Sequence, residues 1–223
     1  MPSLLLLDGS PRGARSNSMK MLARVQEGWA QGGGAPAETC HLAKPADFER
    51  ALAAFGQAGT VLLGMPLYTD AMPALVLAFI EAAAPRVAAA GARPRLAFLV
   101  QSGFPEARHM RPLERYLEKL ARRLGCAYAG TIVRGSGEAL QAMPDRASQR
   151  LWRRLRTLGE QLARDGRFAP EALRAVAGPE RLPRLAAALL ALAFRLPVTQ
   201  FYWNRQLKQN GAWPRRFATP HIS

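Results

Sequence analysis

Short apolar runs alternate with amphipathic segments along the first 165 residues of the chain. The apolar runs end in turn residues and lack a two-residue alternation, which is typical of strands buried on both faces. These runs lie at 4–8, 37–42, 60–64, 95–102 and 126–133. Each is followed by a segment with apolar residues at helical spacing, at 16–29, 46–55, 73–90, 112–124 and 148–164.

This alternation predicts an α/β protein whose parallel sheet is covered by helices on both faces. Right-handed crossovers leave few topologies, and five strands favour the doubly wound order 2-1-3-4-5. We therefore predict one domain over residues 1–165. Residues 166–223 fall outside the rhythm and form a predicted helical C-terminal extension. It holds an apolar helix at about 181–195 and the aromatic segment FYWNRQLKQNGAW at 201–213.

Charge is distributed unevenly along this basic chain. Its 223 residues are 49% hydrophobic, which suffices for a sizeable core, and carry a formal net charge of +15. From Arg150 onward the chain has 14 basic and 4 acidic residues, so this third of the chain carries a net charge of +10. The excess reflects either an arginine-favouring composition or an anionic partner such as a nucleotide, a nucleic acid or an anionic membrane.

Two cysteines, Cys40 and Cys126, match neither a metal-binding pattern nor a CxxC motif. Two free thiols suit the cytoplasm, and the first apolar run is too short for a signal peptide. The longest uncharged apolar stretch, 185–194, is too short to cross a bilayer. We predict a cytoplasmic protein without a metal site.

The loop after the first predicted strand, GSPRGARSNS at 9–18, has the make-up of an oxyanion site. Glycines allow close approach of the backbone, serines and arginines donate hydrogen bonds, and a helix N-terminus follows. The loop is neither GxxxxGK[ST] nor GxGxxG, and it lacks the cysteine of a phosphatase loop. It is therefore predicted to bind a phosphate without acting on it. The alternative is a polar turn in which Ser16 or Asn17 caps the helix.

Two further loops follow the third and fourth strands, GMPLYTDAMP at 64–73 and QSGFPEARH at 101–109. Ligands of doubly wound sheets bind at this edge, where the strand order reverses. Three loops there would form a cleft, with Tyr68 beside a flat ring. Backbone amides near 67–69 and 102–104 are expected to bond the heteroatoms of that ring.

Together, GSPRGARSNS, PLYTDAMP and SGFPEARH resemble the flavodoxin-like NAD(P)H-dependent FMN reductases, over about residues 3–135. The positions that match the family's FMN-binding loops are Ser10, Arg12, Ser16, Asn17, Ser18, Pro66, Leu67, Tyr68, Thr69, Ser102, Gly103 and Phe104. The chain lacks the lysine that many members carry after the third-strand loop. It also lacks the cysteine cluster of the iron–sulfur branch.

The resemblance implies bound FMN, with hydride passing from NAD(P)H through the flavin to a quinone, a flavin or another small acceptor. It names no catalytic side chain, and it implies a homodimer. An electron carrier of the flavodoxin type is the alternative, although such carriers are usually acidic. A membrane-peripheral or interaction protein on the same fold is another. For the extension, residues 166–223, a contact with a second subunit is the preferred interpretation. Binding to an anionic membrane is the second and binding to nucleic acid the last, and no specific nucleic-acid partner is expected.

Other polar residues near the loops have simpler structural explanations. His109 is a candidate acid–base group, but it and Glu106 lie where surface or capping residues are commoner. Asp70 either orders the Tyr68 loop or is an ordinary turn residue. Asp8 ends the first strand and is expected to hold the loop, and Trp152 is expected to pack in the core.

Overall fold

The computed structural model describes residues 3–89, 93–142, 144–195 and 200–218. Its five strands are all parallel and lie in the order β2-β1-β3-β4-β5, which confirms the predicted fold class and order. The strands are β1 (Leu4–Asp8), β2 (Ala37–His41), β3 (Thr60–Pro66), β4 (Arg95–Gln101) and β5 (Ala127–Arg134). The helices are α1 (Asn17–Gln31), α2 (Pro45–Phe55), α3 (Ala74–Ala89), α4 (Arg111–Arg123), α5 (Ala139–Ala142), α6 (Gln149–Asp165), α7 (Pro170–Ala177), α8 (Arg184–Arg195) and α9 (Gln200–Gln209).

Both faces of the sheet are buried, which explains the unbroken run of leucines in β1. Leu5 and Leu7 point to the face covered by α2, α3 and α4, whereas Leu4 and Leu6 point to the face covered by α1 and α6. Successive side chains of a strand point to opposite faces, so an alternating pattern would have left one face polar. The run of leucines is therefore explained by two hydrophobic cores, one on each face of the sheet.

Helices α1 and α6 touch each other through their backbones. A Cβ on Gly28 would lie 1.9 Å from Arg156 O, and a Cβ on Gly159 would lie 2.0 Å from Val25 O. Only glycine fits at either position, because real Cβ atoms do not approach carbonyl oxygens so closely. This contact fixes how α1, and therefore the loop that precedes it, is held over the sheet.

Strand β3 runs two residues further than the sequence pattern predicts. Met65 pairs with Val100 and Pro66 pairs with Gln101 in the parallel ladder with β4. Proline is tolerated there because the strand ends at that residue. Pro66, predicted as part of a loop, is thus the last residue of a strand.

The chain divides into compact units after Arg181, rather than after residue 165 as the sequence predicts. The segment after α6 lies along β5, the edge strand of the sheet. Phe168 N donates to Ala129 O at 2.9 Å, and Ala107 N donates to Pro179 O at 2.9 Å. Phe168 itself is buried in the core. Residues 166–181 therefore belong to the first unit. The alternation of strands and helices in the sequence could not show this, because it ends at residue 165.

The second unit, residues 182–223, contains α8 and α9. The apolar helix predicted at about 181–195 is observed as α8, where Leu185, Leu189 and Leu192 are exposed. In α9, Phe201 and Trp203 are exposed as well. Among the residues described, no helix has both the length and the apolar character needed to cross a membrane.

Candidate functional site

The loop after β1 is held from below by a buried carboxylate. Asp8 accepts hydrogen bonds from Ser10 N at 3.2 Å and Ser16 Oγ at 3.3 Å, and its other oxygen lies 2.9 Å from His41 Nδ1. Burial raises the pKa of the Asp8 carboxyl, against the opposing effect of these hydrogen bonds. Ser16 also caps α1, because its Oγ accepts from Met19 N at 2.9 Å. The predicted roles of Asp8 as a loop holder and Ser16 as a cap are observed together.

The loop after β3 makes a tight hairpin turn. Tyr68 and Ala71 exchange backbone hydrogen bonds of 2.9 and 3.0 Å. Thr69 and Asp70 between them have φ of 45° and 65°, the left-handed conformation of a type I′ turn. Leu67 N donates to Gln101 O at 2.8 Å, so the amides of Leu67 and Tyr68 are both engaged within the protein. The expectation that these two amides bond a ligand ring is therefore wrong.

The loops after β4 and β5 are bonded to each other. Ser136 N donates to Phe104 O at 2.8 Å and Gly137 N donates to Ser102 O at 2.7 Å. A Cβ on Gly137 would lie 2.0 Å from Gln101 Oε1, so a side chain at this position would require the Gln101 side chain to move. The two loops consequently act as one wall of the cleft.

A pocket of about 110 Å³ lies between these loops, at the carboxyl edge of the sheet. Its lining includes eight of the predicted residues: Ser10, Arg12, Asn17, Pro66, Leu67, Tyr68, Ser102 and Gly103. Gln101 and Glu138 complete the lining. The Tyr68 side chain is 47% exposed, which leaves it open to a ligand. Gly103 N has no hydrogen-bond acceptor within the described parts of the chain.

One end of the pocket, formed by Arg12 and Asn17 and here called the anion pole, carries N–H donors. Arg12 Nη1 lies 3.3 and 3.4 Å from the two carboxylate oxygens of Glu138, and Asn17 Nδ2 donates to Glu138 Oε2 at 3.2 Å. Asn17 and Ser18 begin α1, whose first intrahelical bond is donated by Lys20 N to Ser16 O. The helix N-terminus therefore adds its free amides and its dipole to this end.

Two buried polar atoms near the anion pole lack partners among the residues that the structure describes. They are Asn17 Oδ1 and Ser18 Oγ, both on side chains that are almost fully buried. A buried hydroxyl without a hydrogen bond is costly to the folded protein. The N-terminus of α1 and the Arg12 guanidinium favour an oxyanion at this end of the pocket.

Solved structures with the same fold include several oxidoreductases. An NADH:FMN oxidoreductase has a TM-score of 0.56 and 19% identity, covering 80% of this chain and 97% of its own. An FMN-dependent NADH-azoreductase from Bacillus anthracis, in complex with FMN, has a TM-score of 0.56 and 14% identity, covering 73% and 100%. An NAD(P)H:quinone oxidoreductase from Methanothermobacter marburgensis has a TM-score of 0.54 and 15% identity, and the match covers 72% of this chain and 95% of its own.

The chain has a flavodoxin-like fold. At these identities the likeness establishes the fold, which agrees with the resemblance carried by the three loop motifs. No protein-family model and no curated protein sequence matches the chain. The pocket lies where flavodoxin-like sheets bind ligands, at the switch point beside β1 and β3.

Four residues predicted from the resemblance lie outside the lining of this flavodoxin-like pocket. Ser16 is turned inward to Asp8 and Met19 N, and Ser18 is buried in the first turn of α1. Thr69 occupies the tip of the hairpin turn. Phe104 is 61% exposed and packs at 4.8 Å, ring centre to ring centre, on His109.

Sequence reasoning missed two lining residues, Gln101 and Glu138. Gln101 ends β4, directly before the predicted Ser102, and its side chain is buried against Gly137. Glu138 follows β5 in the stretch GSGEAL. Applying the strand-edge argument to the fifth strand, whose loop also contains two glycines, would have found it.

The weaker candidates have structural roles. His109 Nε2 lies 3.3 Å from Glu106 Oε2, and Arg108 binds the same carboxylate, so Glu106 orders its own loop. Trp152 is buried in the core beneath Arg24. Cys40 and Cys126 are buried and unpaired. Within the described ranges, no three His, Cys, Asp or Glu side chains are grouped to hold a metal ion.

Proposed function

We propose that this chain is an FMN-dependent oxidoreductase that transfers hydride from NAD(P)H to a quinone, a flavin or another small acceptor. One observation carries the proposal: a single pocket at the switch point joins a cationic, N–H-rich end to an open aromatic end. The similar structures support it, since they include an NADH:FMN oxidoreductase, an FMN-dependent NADH-azoreductase and an NAD(P)H:quinone oxidoreductase. Buried free thiols at Cys40 and Cys126 support a cytoplasmic location.

The anion pole would hold the phosphate of FMN. Arg12 supplies a charge-assisted donor and Asn17 supplies an amide, and both side chains line the pocket. The dipole of α1 acts on the phosphate in the same direction. Asp8 takes no part in binding and holds the loop in place through Ser10 N and Ser16 Oγ.

The ring of FMN would lie toward the other end of the pocket. Tyr68 presents a half-exposed aromatic face, and Gly103 N is available as a donor to a ring heteroatom. A bound flavin supplies the hydride-accepting centre itself, so the protein positions it and controls its surroundings. Rigid support of Tyr68 by the type I′ turn suits such a positioning role.

The proposal is tested with purified protein, FMN and reduced nicotinamide. We expect a bound-flavin absorbance spectrum after FMN is added and the excess removed, and oxidation of NADH or NADPH in the presence of FMN or a quinone. The proposal fails if flavin is not bound and neither nucleotide is oxidised. Flavin binding with negligible nucleotide oxidation would instead indicate a non-enzymatic electron carrier.

We also propose that the chain forms a homodimer in which α8 contributes to the contact. The support is the exposed apolar face formed by Leu185, Leu189 and Leu192, a kind of surface that is usually covered. Sedimentation of the full chain, compared with its Leu185→Ser/Leu189→Ser variant, tests this assignment. A monomer at micromolar concentration excludes it. Sedimentation with anionic vesicles by the monomer would favour the peripheral-membrane alternative.

A further inference from the structure

A carboxylate of the protein lies on the donors that the proposed function assigns to a phosphate. Both oxygens of Glu138 are within 3.4 Å of Arg12 Nη1, and Oε2 accepts from Asn17 Nδ2 at 3.2 Å. Arg12 and Glu138 are 126 residues apart in sequence, so the contact depends entirely on the fold. Both side chains line the pocket.

The backbone that carries Glu138 is held in place. Its neighbours Ser136 and Gly137 donate to Phe104 O and Ser102 O, at 2.8 and 2.7 Å. Ser136 has a φ of 58°, a left-handed conformation that a non-glycine residue keeps only when its surroundings impose it. The loop therefore presents Glu138 to the anion pole, and rotation of the Glu138 side chain would clear it. That side chain is 44% exposed, which leaves it a path into solvent.

A carboxylate and a phosphate compete for the same N–H donors. Both are oxyanions that pair with a guanidinium and with a helix N-terminus. They also repel each other, so a phosphate gains the anion pole only if Glu138 leaves it. A ligand without a phosphate meets no such competition.

We propose that Glu138 is a specificity-determining residue that occupies the anion pole of the free protein and must be displaced by a phosphate monoester. This inference rests on the proposed function for the identity of that monoester, FMN. Glu138 weakens the binding of FMN relative to riboflavin, the same ring system without the phosphate. The pocket therefore exchanges FMN more readily than it would without this carboxylate.

The experiment compares FMN and riboflavin dissociation constants of the wild type and the Glu138→Gln variant, by quenching of flavin fluorescence. Because an exposed ion pair contributes little, we expect FMN to bind about 1.5- to fivefold more tightly to the variant, and riboflavin to be unaffected. Glu160→Gln, on α6 where it pairs with Arg164, is the matched control with the same change in charge. Glu138→Ala is the second variant, with the same expected direction.

An unchanged ratio of FMN to riboflavin affinity in both Glu138 variants would overturn the inference. Weaker FMN binding would overturn it too, because Glu138 would then be a ligand-binding group. A gain of equal size in Glu160→Gln would show a general charge effect and would also overturn it. If neither flavin binds, the proposed function fails by itself. In that case the inference is tested with inorganic phosphate. It is supported if phosphate raises the melting temperature of the Glu138→Gln variant more than that of the wild type, and it is overturned if it does not.

Discussion

Replacing Ser16 with alanine should destabilise the protein without changing its preference for phosphate. The resemblance to FMN reductases assigns Ser16 to the phosphate loop, whereas in the structure its hydroxyl faces inward. Its Oγ accepts from Met19 N at 2.9 Å and donates to the buried Asp8 at 3.3 Å. Ser16→Ala removes both hydrogen bonds and leaves the backbone unchanged.

The expected loss of stability follows from these two contacts. Removing a serine N-cap typically costs about 1 kcal/mol. The bond to Asp8 is long, but its acceptor is a buried carboxylate, so we assign it about 1 kcal/mol as well. The total of about 2 kcal/mol corresponds to a fall in melting temperature of roughly 4–8 °C for a chain of this length.

Urea and thermal unfolding of the two proteins would measure the loss, and flavin titration would measure the selectivity. The matched control is Ser18→Ala, two residues further along the same helix. Ser18 Oγ is buried without a partner among the described residues, so its removal should leave stability within about 0.5 kcal/mol. Because Ser18 lies outside the pocket lining, Ser18→Ala should also leave the ratio of FMN to riboflavin affinity unchanged.

The opposite pattern would refute this assignment of roles. If Ser16→Ala left the melting temperature unchanged and lowered the ratio of FMN to riboflavin affinity, Ser16 would be a phosphate ligand rather than a cap. If Ser18→Ala destabilised the protein by more than 1 kcal/mol, its hydroxyl would have a partner in the folded chain.

Three further changes test the site and its scaffold. Arg12→Ala should weaken FMN binding about five- to thirtyfold, because one charge-assisted hydrogen bond to the phosphate is lost. Riboflavin affinity, measured by the same titration, should not change, and equal losses of affinity for both flavins would contradict this prediction. Gly28→Ala should lower the free energy of unfolding, measured in urea, by at least about 2 kcal/mol, because the new Cβ would clash with Arg156 O. Its control is Ala30→Ser, at an exposed position of the same helix, which should change the free energy of unfolding little. Burial raises the pKa of Asp8 from its ordinary value of 3.8, so the native state binds this proton more tightly than the unfolded chain does. The free energy of unfolding of the wild type relative to Asp8→Asn should therefore fall as pH rises from about 3.8 through the raised pKa, and a rise over that window would contradict the assignment.

Much of the fold was predictable because its signals are local. The leucines of β1 are buried on both faces, and that requirement is visible in four consecutive residues. Ser16 precedes an apolar helical pattern, so its capping role was one of two alternatives that the sequence left open. The strand order followed from the number of strands and the handedness of crossovers.

The candidate site was only partly predictable, because its chemistry depends on contacts between distant residues. The sequence placed Arg12, Asn17 and Tyr68 at strand ends, and the edge of a parallel sheet brings such ends together. It could not show that the amides of Leu67 and Tyr68 are engaged by Gln101 O and Ala71 O.

The sequence by itself determined the elements, their order and the edge at which a ligand would bind, because hydrophobic period and turn composition act over a few residues. Only the tertiary structure decided that Ser16 faces Asp8, that residues up to Arg181 belong to the first unit, and that Glu138 lies on Arg12. Each of these outcomes depends on which surfaces meet in space. A carboxylate 126 residues away from the loop that it contacts leaves no signal in the sequence around that loop.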